Sequence, residues 1–229
     1  MLLLDRYRLN STVSGWYMNF AHKLRARLNS DVFSDRDLYM AHVTGSRAAV
    51  LSGLSRSLKS REIIKLKRGV YMFGDNLRIG RISKFVIAGK LYFPSYISFE
   101  SALAFYGLIP EGVFVTTSAC QLSKKKLFKT PLGEFSFDHV PSDVFFMGVE
   151  SLSGNGLVAN PLKALFDLIY LRRKNYDHLE DVESDLRIDP SKLIELSTPY
   201  SYDELHVLAH SYRRKNVIRF FECLAREAK

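Results

Sequence analysis

Cysteine is scarce: Cys120 and Cys223 are the only two in 229 residues. Their separation matches no metal-binding or redox spacing, so reduced core thiols are the expectation. No stretch approaches the ~20 apolar residues of a membrane-spanning helix. The opening run Met1–Leu4 is stopped by Asp5 and Arg6, short of the ~7–15 apolar residues of a signal peptide. A soluble, cytoplasmic protein without a membrane partner is therefore expected. Internal repeats and low-complexity tracts are missing. So are a glycine-rich phosphate loop, a dinucleotide fingerprint and a Gly-x-Ser-x-Gly elbow. His206 and His210 stand four apart, but no Glu follows His206 and no third ligand lies nearby in sequence, so no metal site is assigned. Glu134 and Asp138 loosely suggest a nuclease carboxylate pair, yet no Lys has the spacing such a site needs. No cofactor and no enzymatic activity are expected.

What the chain does hold is a core and a lopsided charge. Hydrophobic residues make up 47% and aromatics 13%, which excludes a disordered chain. Residues 1–76 contain 13 Lys/Arg against 6 Asp/Glu, a net of +7, whereas residues 77–229 contain 20 against 18, a net of +2. A basic module joined to a larger domain with another task is the natural reading. The positive charge is densest from Gly45 to Phe73, where seven cations face one acid, Glu62.

That stretch reads as helix, strand, turn and strand. Thr44-Gly45-Ser46 supplies a turn and an N-cap for a helix over about Ser46–Lys59. Val50, Leu51, Leu54 and Leu58 recur at helical spacing and define an apolar side. Ala49, Ser52, Arg56 and Lys59 fall opposite, small and basic side chains suited to a major groove. Arg47 projects nearer the apolar side, as a first-turn DNA contact or a structural ion pair. Ile63–Leu66 and Val70–Phe73 are strand-like, with Lys67-Arg68-Gly69 as the turn, and two cations at a hairpin tip suit a backbone or minor groove. The combination suggests a winged helix on DNA, with Ser46, Arg47, Ser52, Arg56, Lys59, Lys67 and Arg68 as contacts.

On either side the pattern is plainer. Trp16, Phe20, Leu24 and Leu28 predict a helix over Gly15–Leu28, with Lys23, Arg25 and Arg27 on its other faces, near phosphates or solvated. Ser34 precedes a short helix, Asp35–Ala41. Downstream, helices are expected over Arg78–Ala88, from a Ser98 cap to Gly107, from Asn160-Pro161 onward, through residues 176–196, and behind a capping box at Ser201. Strands are expected at Val113–Ala119, Glu134–Val140, Val144–Val149 and Gly156–Ala159, with Lys124–Lys126 in a loop. Lys163 and Asp167, four apart, can pair, a contribution of ~0.3 kcal/mol if exposed. The fold class is therefore α+β: an N-terminal winged helix-turn-helix domain over 1–76, then a larger mixed α+β domain over 77–229.

Several of these segments resemble one family. Gly45-Ser46-Arg47, Leu54-Ser55-Arg56 and Arg68-Gly69-Val70-Tyr71 are similar to the winged-helix pattern of the AbiEi antitoxins. That family belongs to type IV toxin–antitoxin and phage abortive-infection systems. Ile97–Leu103 with Tyr106–Pro110, and Val158–Pro161 running into Lys163–Tyr170, resemble its second domain. The resemblance covers roughly residues 40–172; Leu162 stands where the family usually has Glu, and the chain before Asp31 lies outside the pattern. It implies a transcriptional autorepressor whose N-terminal domain binds inverted repeats in its own promoter. The C-terminal domain would counteract a nucleotidyltransferase toxin without needing a stable complex, and no catalytic residue carries over. Two rivals remain at this stage: a protein-interaction module whose winged helix docks a partner protein, and a nuclease using Glu134 and Asp138.

Overall fold

A computed structural model describes residues 18–110 and 112–228, and the contacts divide the chain into two compact units between Arg81 and Ile82. Among the described residues no helix is long and apolar enough to cross a membrane. The architecture is α+β.

The N-terminal unit runs α1 (Phe20–Arg25), β1 (Val32–Ser34), α2 (Asp35–Met40), α3 (Arg47–Lys59), β2 (Ile63–Lys67) and β3 (Val70–Phe73). The three strands form one antiparallel sheet in the order β1-β3-β2. β1 is too short to show alternation in the sequence, and its pairing with β3 is what makes it a strand. α1 starts at an Asn19 cap; the expected start at Gly15 and Trp16 lies outside the described residues, as do Met1–Arg6. α2 begins with a complete capping box between Ser34 and Asp37. The helices pack on one side of the sheet, with Leu24, Leu38, Val50, Leu54, Phe33 and Phe73 in a shared core. Gly53 sets the spacing of α1 on α3, because a Cβ there would lie 2.4 Å from the Phe20 ring.

Two expectations change here. Leu51 does not join the apolar side of α3; it is 49% exposed. Val50, Gly53, Leu54 and Ser57 form the buried stripe, and Leu51 falls just past its edge. Arg25 is neither a phosphate contact nor solvated. It pairs with Asp31 at 2.6 Å and lies 4.5 Å over the Phe73 ring, closing the core on that side.

The C-terminal unit is built on a six-stranded sheet in the order β6-β7-β5-β4-β9-β8. Its strands are β4 (Ser95–Ile97), β5 (Val115–Cys120), β6 (Lys126–Thr130), β7 (Gly133–His139), β8 (Val149–Leu152) and β9 (Gly156–Ala159). The pairs β5–β7 and β4–β9 are parallel and the rest antiparallel. Helices α4 (Lys84–Leu91) and α5 (Phe99–Phe105) pack on the sheet. They are followed by α6 (Pro161–Arg172), α7 (Leu179–Leu186), α8 (Pro190–Ser197), α9 (Tyr202–Ser211) and α10 (Lys215–Glu227).

Several boundaries shift. The helix expected at Arg78–Ala88 starts at a Ser83 cap and reaches Leu91. The strand expected at Val144–Val149 is a 3-10 turn, Ser142–Val144, then β8. Lys126, expected in a loop, opens β6. Four consecutive residues of β7, Phe135, Ser136, Phe137 and Asp138, are buried, so both of its faces are covered.

The largest revision concerns α6. Asn160 caps it through a 2.8 Å bond from the Lys163 amide and Pro161 opens it, both as expected. The Lys163–Asp167 pair, however, has 0% exposure at both ends and a 2.8 Å separation. Asp167 accepts from Lys163 and Tyr212 (2.6 Å) at one oxygen, and from Tyr96 (2.9 Å) and Ser98 (2.7 Å) at the other. Four donors match the acceptor capacity of a carboxylate, so the buried charge is fully satisfied. Ser98 holds the N-cap position of α5 but makes no side-chain cap bond, because its hydroxyl goes to Asp167. Burial lowers the Lys163 pKa against the opposing pull of Asp167. Burial, then the charge of Asp167, raises Tyr96 and Tyr212 well above the usual tyrosine value.

Candidate nucleic-acid interface

Ser46 begins α3 by accepting a bond from the Ala49 amide at 3.2 Å. Its hydroxyl proton stays available to donate. With the inner stripe of α3 buried, Arg47, Ala48, Ala49, Leu51, Ser52, Ser55, Arg56 and Lys59 face solvent. Ala48, Ser52 and Ser55 run along the middle of that face, so a groove wall can come close to the helix backbone. Arg47 lies 5.7 Å over the Tyr39 ring, which aims it along the first turn. Arg56 folds back so that Nε donates to the Ser52 carbonyl at 3.4 Å.

The hairpin that follows has a two-residue turn, Arg68-Gly69, with Lys67 opposite Val70. Gly69 has φ +78°, and a Cβ there would also press on the Asp35 carboxylate at 3.1 Å. The Asp35 amide donates to the Gly69 carbonyl at 3.0 Å, and Asp35 accepts from Tyr71, fixing the hairpin on the start of α2. Lys67 ends β2, half-buried and engaged, rather than occupying the tip. The tip belongs to Arg68, which is exposed, and Lys65 is exposed within β2.

The described acids of this unit all have local partners. Asp31 holds Arg25 and the Ile79 amide; Asp35 takes Tyr71; Asp37 completes the capping box of α2. Glu62 accepts from Asn19 and Ser60, and Asp75 pairs with Arg78. Among the described residues no ion pair engages Arg47, Arg56, Lys59, Lys65 or Arg68. The described acids are thus engaged by local partners, while Arg47, Arg56 and Lys59 leave the outward side of α3 basic. A groove of about 530 Å³ between α1 and α3 brings Lys23 beside Ser52 and Arg56. Sequence reasoning missed Leu51 and Ser55 on this side of α3, because both needed the true edge of the buried stripe.

The remaining candidates are accounted for by their surroundings. Glu134 pairs with Lys129 at 3.0 Å and Asp138 with Lys125 at 3.2 Å, and the two acids occupy opposite ends of β7. His206 and His210 stack with ring centroids 3.9 Å apart, and His210 Nδ1 donates to the His206 carbonyl at 3.0 Å. No protein-family model matches the chain, and no curated protein resembles it significantly.

Proposed function

We propose that the N-terminal unit is a winged helix that binds double-stranded DNA in the chain's own promoter, with α3 as the recognition helix and the β2–β3 hairpin as a short wing. The order helix, strand, helix, helix, strand, strand, with the first strand paired to the last, supports the fold. The observation that carries the DNA reading is the uncompensated basic face, with every described acid of the unit engaged elsewhere. Ser46, Arg47, Ser52 and Arg56 would meet base edges, while Lys59 and Arg68 would hold phosphates. The resemblance to the AbiEi family extends this to a cytoplasmic, non-enzymatic antitoxin that represses its own operon. Its C-terminal unit would counteract a nucleotidyltransferase toxin.

Fluorescence anisotropy with the DNA upstream of the coding sequence tests the proposal. The logarithm of affinity should fall by ~0.9 per log unit of salt for each phosphate neutralised. Arg56→Ala should relax base preference at ~1–3 kcal/mol, whereas Arg68→Ala should weaken all sequences alike. Binding indifferent to salt and to both substitutions would sink it. A second reading, docking of a partner protein on α3, draws support from Leu51, an apolar side chain on the outward face. Co-purification with the neighbouring gene product, lost in Leu51→Asp and accompanied by no promoter shift, would favour that reading.

A further inference from the structure

The C-terminal unit carries an open, mainly apolar groove that DNA binding does not use. It has a volume of about 480 Å³, walled by Leu162 at the start of α6, Leu205 and Leu208 of α9, and Met147. Val207, 53% exposed, and Tyr200, 37% exposed, stand on its rim. Tyr200 is held in place by the Asn160 amide, which donates to its hydroxyl at 2.9 Å.

The rim is acidic. Asp203 and Glu204 lie along the groove. Burial raises the Tyr200 pKa, and the negative charges of Glu150 and Glu204 raise it further. Among the described residues no lysine or arginine pairs with Glu150, Asp203 or Glu204.

The groove also runs into an open sheet edge. Gly148 lines it, and the next residue begins β8, the outermost strand, whose one strand partner among the described residues is β9. The opposite edge, β6, exposes Lys126 and Lys129, charges that discourage strand addition. β8 exposes Glu150 instead, a residue that attracts a basic strand.

We propose that the groove and the β8 edge together dock an extended segment of a partner protein in which an apolar side chain is flanked by Lys or Arg. The apolar side chain enters the groove beside Leu205 and Leu208. The flanking cation meets Asp203, Glu204 and Glu150, and the segment's backbone continues the sheet along β8. Strand addition supplies affinity through main-chain hydrogen bonds, and the groove and its acids supply selectivity. The site lies wholly within the C-terminal unit, so it stands whether or not α3 meets DNA.

The test uses the full chain and two fluorescein-labelled peptides of alternating residues around a central leucine, one carrying lysines and the other glutamates. The lysine peptide should bind at least about tenfold more tightly than the glutamate one. Val207→Arg, at an exposed rim position, should weaken it by about tenfold or more while leaving the promoter-binding assay unchanged. Glu150→Gln combined with Asp203→Asn should erase the preference between the peptides. Amide exchange at residues 149–152 should slow when the lysine peptide is bound. Failure of the lysine peptide to bind, equal affinity for the two, affinity surviving Val207→Arg, or unprotected β8 amides would each overturn the proposal. So would a wild-type dimer in sedimentation that Val207→Arg dissociates, since the occupant would then be a second copy of this chain.

Discussion

Asp167→Asn is the substitution whose consequence follows most directly from the structure. The side chain keeps its shape, so packing changes little, but the Lys163 ammonium loses its counter-charge at 0% exposure. The new amide also presents hydrogens to groups that are themselves donating. Removing one member of a buried ion pair costs about 3–5 kcal/mol, because the remaining charge is stranded. The pH dependence has a definite sign. Burial already holds the folded-state pKa of Lys163 below 10.5, and Asp167 opposes that shift. Without Asp167 the folded pKa falls further, so over a wider window the unfolded chain binds more protons than the folded one. Stability of the variant should therefore rise with pH between neutrality and the lysine range, by at most about 1.4 kcal/mol per pH unit. The wild type should rise less. The assay is urea unfolding at several pH values from 7 to 9.5, below the range where unfolded tyrosines ionise. It should be followed by near-ultraviolet circular dichroism of the tyrosines, since the single tryptophan, Trp16, belongs to the N-terminal part. A loss below about 1 kcal/mol together with a pH slope equal to the wild type would refute the account of a satisfied buried charge.

Gly53→Ala should destabilise the N-terminal unit by about 1–3 kcal/mol, despite alanine's better helix propensity. The new methyl collides with Phe20, and Phe20→Leu in the same chain should recover part of the loss; stabilisation by the single substitution would contradict the packing described. Asp185 accepts from Lys174, Tyr176 and Arg172, and these bonds hold its carboxyl down at about 2. Its contribution is present above about 3.8, the ordinary value, and is lost as pH falls towards 2. Acid unfolding curves should accordingly show a shallower slope in that window for Asp185→Asn, and an unchanged slope would count against the pairing. Burial pushes the Cys223 thiol up to about 11 and also raises that of Cys120. Neither should react with Ellman's reagent at pH 8 until denaturant is added, and rapid reaction of the native protein would overturn their placement.

The elements that were legible in the sequence are those fixed within a few residues of chain. Ser46 before α3, Asn160-Pro161 before α6 and the box from Ser201 to Glu204 all act through bonds spanning three residues, which the letters alone display. Gly69 was legible as a turn because few other residues accept its backbone angle. β1 and β4, three residues each, were missed, since they carry no periodicity and become strands only by pairing with β3 and with β5 and β9. The helix expected from Arg78 began late because no local cap precedes Ser83.

The candidate interface divides in the same way. The order of the basic residues and their concentration between Gly45 and Phe73 are properties of the sequence, and no folding could remove that surplus. Which cations remain unpaired is a tertiary matter: Arg25 is claimed by Asp31 and Phe73, while Arg56, Lys59 and Arg68 find no acid among the described residues. Leu51 and Asp167 show the same limit from opposite sides. A helical wheel ranks residues around an axis but does not say how wide a stripe the neighbours will cover. The sheet and α1 cover a narrow one on α3 and leave Leu51 outside, whereas the core around α6 covers nearly the whole helix and takes an ion pair with it. Local bonding wrote the elements into the sequence; the burial of each face was decided only when distant strands and helices closed over it.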